Sequence, residues 1–111
     1  MELQISDPLF YEKMKARTAL SDVIDPELGV NIVDLGLVYD VDFPEEHQVV
    51  VHMTLSTPHC PLGEAIQEGV TNALTAIFPN RRVEINLVWE PVWNFDMISD
   101  VGREQLGLSP R

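Results

Sequence analysis

Between His47 and Ile77 the spacing of apolar residues changes from two to near the helical period, and the change falls at the only cysteine, Cys60. In HQVVVHMTL, Val49, Val51, Met53 and Leu55 alternate with Val50, His52 and Thr54, as in a strand with one buried face. Beyond TPHCP, Ile66, Val70, Ala73, Leu74 and Ile77 recur at helical spacing. Pro61 suits the first helical position, where an N–H would have no intrahelical partner, and Cys60 is then the N-cap or its neighbour. The free N–H groups and dipole of that first turn favour thiolate over thiol, while Glu64 opposes this. A strand that turns directly into a helix, followed after FPN by another alternating run, restricts the chain to helices packed on a sheet.

That later run, RRVEINLVW, places Val83, Ile85, Leu87 and Trp89 on one face and Arg82, Glu84 and Asn86 on the other. Upstream, Leu37, Tyr39, Val41 and Phe43 form the inward side of a further strand, and Pro44 to His47 is short enough for a hairpin, so these first two strands should pair antiparallel. The strand-helix-strand step predicts that the third strand runs parallel to its neighbour. Asp7-Pro8 reads as the cap and first position of a helix carrying Phe10, Met14, Ala16, Ala19, Leu20 and Val23, and Asp25-Pro26 should end it. Ser99 or Asp100 caps a short helix before Gly107. The expected fold class is α/β (α+β), a two-layer sandwich in the order α-β-β-α-β-(α), as a single domain over residues 1–111.

One cysteine cannot close an internal disulfide, and MELQISDPLF has no basic segment followed by an apolar run. No stretch is long or apolar enough to span a bilayer, so the expectation is a soluble cytoplasmic protein. Eighteen acidic residues against seven basic ones give a formal charge of −11, which disfavours nucleic acid and anionic membranes as partners.

DPELGVNIVDLGLV fits neither period and reads as an ordered loop. Its carboxylates, Asp25, Glu27 and Asp34, either cap turns and helix ends or form an acidic rim beside the cysteine turn. Trp89 continues the inward face of its strand and reads as core. Trp93, after Pro91, either packs at the sheet edge or contacts a partner in a cleft beside Cys60. His47 and His52 read as solvent-facing, and none of the three histidines has the spacing of a zinc motif.

Taken together and in order, DPELGVNIVDLGLVYDV, MTLSTPHCPLGEAI and WEPVWNFDMISDVGREQLGL resemble the small iron-sulfur assembly family that includes SufT-like and PaaD-like proteins and the eukaryotic cytosolic iron-sulfur targeting factor. The resemblance implies the iron-sulfur cluster assembly fold and a role in metal-sulfur cluster biosynthesis, assembling clusters or delivering them to recipient apo-proteins, rather than conventional enzyme activity. It places the family's DPE motif on Asp25, Pro26 and Glu27, its TxxCP turn on Thr57, Cys60 and Pro61, and its WxPxW segment on Trp89, Pro91 and Trp93. Asp25, Glu27, Thr57, Cys60 and Trp93 are thereby the candidate cluster-site residues, with Cys60 as metal ligand. Family members often carry glycine where this chain has His59, a candidate additional ligand.

A cluster is held by several thiolates, and one cysteine cannot enclose it. Any cluster is therefore expected to be transient and shared, either within a homodimer or with a partner from the assembly machinery or an apo client. Two other readings stand beside this one. The chain could be an adaptor that brings the machinery to its clients without touching iron, or a cysteine-nucleophile enzyme with His52 or His59 as base.

Overall fold

Alternation along HQVVVHMTL produces the central strand of the structure, a computed structural model that describes residues 3–56 and 63–108. Strand β2, Gln48–Met53, buries Val49, Val51 and Met53 and leaves Val50 and His52 half-buried on the other side. It pairs antiparallel with β1, Val38–Asp42, and parallel with β3, Arg82–Leu87, giving the sheet order β1-β2-β3. The parallel pair is joined through α2, Gly63–Ile77, whose Ile66, Val70 and Leu74 are buried. Helix α1, Phe10–Leu20, contributes Ala16, Ala19 and Leu20 to the same core. The mixed α+β fold and its element order thus follow the periodicities, as do the hairpin and the parallel third strand.

The sheet's opposite side is polar. His52 Nε2 lies 2.7 Å from Asp42 Oδ2, and Asn86 Nδ2 lies 3.0 Å from His52 Nδ1, so one hydrogen-bonded row crosses all three strands.

Three expectations need correction. Helix α1 stops at Leu20, short of Asp25-Pro26, because Ser21 Oγ donates to the Arg17 carbonyl and the N–H groups of Asp22 and Val23 take tighter bonds to Ala19 and Leu20. At its other end the Asp7 carboxylate accepts the Leu9 N–H at 2.8 Å, yet the regular helix begins only at Phe10. Along β1 and its flanks the inward set is Leu37, Val38, Val41 and Phe43 rather than Leu37, Tyr39, Val41 and Phe43. Val38 pairs with Met53 and Asp40 with His52, so β1 advances two residues while β2 advances one. This bulge reverses the phase and leaves Tyr39 half-buried, its hydroxyl donating to the Pro91 carbonyl. Third, Trp89 lies beyond the end of β3 and is 42% exposed. Val88 N–H makes the last bond to Met53, after which alternation no longer directs side chains.

The tail forms a short 3-10 turn, Phe95–Met97, and α3, Asp100–Leu106, capped by the Ser99 hydroxyl and closed by Gly107 at φ 73°, as expected. It is fastened to the 25–36 loop. Ser99 Oγ donates to Asp34 Oδ1 and Ser99 N–H to the Asp34 carbonyl, both at 2.7 Å. The approach is close enough to require glycine. A Cβ on Gly36, at φ 77°, would sit 2.3 Å from the Met97 carbonyl oxygen, and one on Gly102 would sit 3.0 Å from that of Asp34.

Candidate functional site

The 25–36 loop is ordered by its own carboxylates. Asp25 is fully buried, and its Oδ1 accepts the N–H groups of Glu27 at 2.8 Å and Leu28 at 3.2 Å. Its main chain closes the turn, accepting from Gly29 and donating to Val30, and a bridge between Ile24 and Asn31 seals the loop's base. The capping role expected of Asp25 is therefore realised. Its second oxygen, Oδ2, is buried without a hydrogen-bond partner among the described residues. An acceptor left unpaired in the interior is costly, and among the described residues it is the buried side-chain atom with capacity to spare. Glu27, two residues on, is exposed. Asp34 instead accepts from Asn31 and Ser99 and belongs to the tail clamp.

Thr57, His59 and Cys60 lie outside the described residues, but both flanks of their segment are in place. Thr54 is buried with its N–H on the Leu37 carbonyl at 2.8 Å. The Leu55 side chain reaches α2, where a Cβ on Gly63 would meet Leu55 Cδ1 at 2.8 Å. The end of the β2 segment and the start of α2 are thus held against each other, and the cysteine-bearing residues connect two fixed points.

Of the two readings open for Trp93, packing is the one observed, while Trp89, expected in the core, is exposed. Trp93 packs against the core, donates from Nε1 to the Leu35 carbonyl at 2.7 Å, and meets Phe95 edge-on with ring centroids 5.7 Å apart. It is joined to the far end of the loop that Asp25 opens. Trp89, Val92 and Phe95 are the exposed large apolar residues of this segment. Their exposure has a readable signal, since Val92, Trp93, Asn94 and Phe95 follow Pro91 with no strand period. Tyr39 and Met97 also hold the segment, the Tyr39 hydroxyl reaching Pro91, and burial raises the Tyr39 pKa above the usual phenol value.

Both ring nitrogens of His52 are engaged by Asp42 and Asn86 on the polar side of the sheet, which removes it as a free base. Among the described residues no three of His, Cys, Asp and Glu gather as a metal site, and no helix is long and apolar enough to cross a membrane.

Residues 13–87 match the profile of the family described as "Iron-sulfur cluster assembly protein". The chain belongs to this family. Among its relatives, the Fe-S protein maturation auxiliary factor SufT of Staphylococcus aureus is 45% identical over 87 residues, covering 78% of this chain and 99% of that one. The corresponding factor YitW of Bacillus subtilis is 43% identical over 90 residues, covering 81% and 88%. A crystal structure of a domain of unknown function, DUF59, from Bacillus anthracis superposes with a TM-score of 0.80 at 39% identity, covering 87% and 92%. The family resemblance and the iron-sulfur cluster assembly fold expected from the sequence are both borne out, and the DPE turn and the whole strand-helix segment fall inside the matched span, with Trp89 to Trp93 just beyond it.

Proposed function

We propose that this chain is an iron-sulfur protein maturation factor that handles a cluster as cargo, with Cys60 as its ligand. The observation that carries the reading is the 45% identity to a maturation auxiliary factor across nearly the whole of that protein. The local architecture supports it. In sequence Cys60 stands three residues before Gly63, the first described residue of α2, and a cysteine at a helix start favours thiolate. Asp25 and Glu27 would supply carboxylate oxygens from their own turn, where Asp25 Oδ2 is buried and has no hydrogen-bond partner among the described residues. Thr57 and Trp93 complete the residue set, and His59 is an additional candidate ligand.

With one cysteine per chain, the cluster is shared and transient. A second copy, a component of the assembly machinery or the recipient apo-protein supplies the remaining thiolates. The chain acts by binding and passing on its cargo rather than by turnover, and works in the cytoplasm. The adaptor reading differs in one respect, that Cys60 never touches iron. The exposed Trp89, Val92 and Phe95 favour a partner-binding role in either case.

Anaerobic purification with iron and sulfide analysis, comparing the native chain with Cys60→Ala, separates the two. Iron and sulfide that depend on Cys60 support cargo handling. Their absence from both proteins, with client maturation intact in Cys60→Ala, leaves only the adaptor.

A further inference from the structure

We propose that the outer side of α1, with the groove it forms against the C-terminal half of α2, docks an acidic amphipathic segment of a partner protein. On its sheet side α1 buries Ala16, Ala19 and Leu20, yet its solvent side is not uniformly polar. Phe10, Met14 and Thr18 follow at intervals of four and line up along one stripe. Met14 and Ile77, 40% and 39% exposed, stand on the two walls of a groove of about 680 Å³ whose lining also includes Ala73 and Ala76. A second depression of about 530 Å³ shares Met14 and Thr18 and continues to Ile5, which is 86% exposed. Apolar surface that continues through two adjoining depressions marks an interaction site.

Charge identifies the occupant. Of the described basic side chains, Lys13 is held by Asp7 at 3.1 Å and Asp40 at 3.6 Å, and Arg82 by Glu84 at 2.7 Å. Arg81 lies over Phe43 and donates to main-chain carbonyls, and Arg103 donates to the Phe95 carbonyl. Lys15 and Arg17 make no ion pair or side-chain hydrogen bond among the described residues, although the chain carries eighteen acidic groups. At about 100° per residue they fall on opposite sides of the Phe10, Met14 and Thr18 stripe. Lys15 lines the larger groove and Arg17 the second depression, and Asp22, at one end, is the sole carboxylate among the described residues lining either. Two unneutralised cations bracketing an apolar stripe match a segment with an apolar ridge and carboxylates on both flanks. A flat anionic bilayer would instead face the charge of the whole chain, −11. This surface makes no use of Cys60, so the inference stands or falls apart from cargo handling.

The probe is a fluorescein-labelled peptide of about 16 residues, roughly 24 Å long as a helix, with leucine along one face and glutamate on its flanks. It is titrated with the full chain at physiological salt and followed by anisotropy. A control peptide replaces each glutamate with lysine. The glutamate peptide should bind saturably despite the repulsion of the net charge, and affinity should fall about tenfold or more in Lys15→Glu/Arg17→Glu and in Ala76→Arg, which fills the groove from an exposed position. Thermal melts of these variants should match the native chain, and any binding of the lysine peptide should be indifferent to them. No saturable binding of the glutamate peptide up to about millimolar concentration, or binding that ignores both variants, overturns the proposal. Phosphatidylserine vesicle binding, or self-association in sedimentation, that disappears in the same variants would overturn it in favour of a lipid surface or a second copy.

Discussion

Trp93 Nε1 donates to the Leu35 carbonyl across 2.7 Å, joining two segments 58 residues apart in sequence and making this tryptophan a structural fastener of the tail. Trp93→Phe keeps much of the ring but strands the carbonyl of a fully buried residue, which should cost about 1–3 kcal/mol in urea unfolding. Trp93→Ala should cost more, about 3–5 kcal/mol. Trp89→Ala should stay within about 0.5 kcal/mol of native stability while weakening association with the assembly machinery or a client. Equal destabilisation by the two alanine variants would refute this assignment.

The difference from the sequence expectation has a definite cause. Strand alternation locates Val49, Val51 and Met53 correctly because β2 is central and paired on both sides. It misplaces Tyr39 and Trp89 because one adjoins a bulge and the other lies past the last ladder bond, both properties of pairing partners remote in sequence. The apolar doublet Leu37-Val38 was the local sign of the bulge. The loop's carboxylates were recognisable as a group, but only the fold divides them into a buried cap, an exposed acid and a clamp for Ser99.

Asp25 and Glu27 should therefore separate on mutation. Asp25→Ala removes the acceptor of two backbone N–H groups in a buried turn and should lower stability by about 1–3 kcal/mol. Glu27→Gln alters an exposed side chain and should leave stability within about 0.5 kcal/mol while reducing client maturation. Full maturation activity in a stably folded Glu27→Gln would remove this residue from the site.

Acid should loosen the N-terminal turn through Asp7. The Leu9 N–H first, and Lys13 second, hold its carboxyl below the ordinary value. A folded pKa depressed in this way gives a contribution present in full above about pH 4, the unfolded value, and lost as pH falls through the folded one. Urea midpoints of Asp7→Asn and the native chain should differ near neutrality and converge in acid, and the difference should shrink in high salt because solvent still reaches the half-buried pair. A gap that persists unchanged in acid would assign it to something other than this carboxylate.

Cys60 should be a reactive thiol needed for function and dispensable to the fold. The segment that carries it follows Leu55 and precedes Gly63, which approach each other closely, and the described core forms without it. A helix start lowers a thiol pKa below the roughly 8.5 of free cysteine, and Glu64 in the first turn of α2 works in the opposite sense. Glu64→Gln should therefore speed alkylation at neutral pH. Cys60→Ser preserves size and hydrogen-bonding capacity but not affinity for soft metals, so its melting curve should overlay the native one while client maturation is lost. If two copies share the cluster, dimerisation that depends on iron and sulfide should disappear with it. Slow alkylation of the native chain together with full activity of Cys60→Ser would move the chemistry away from this residue.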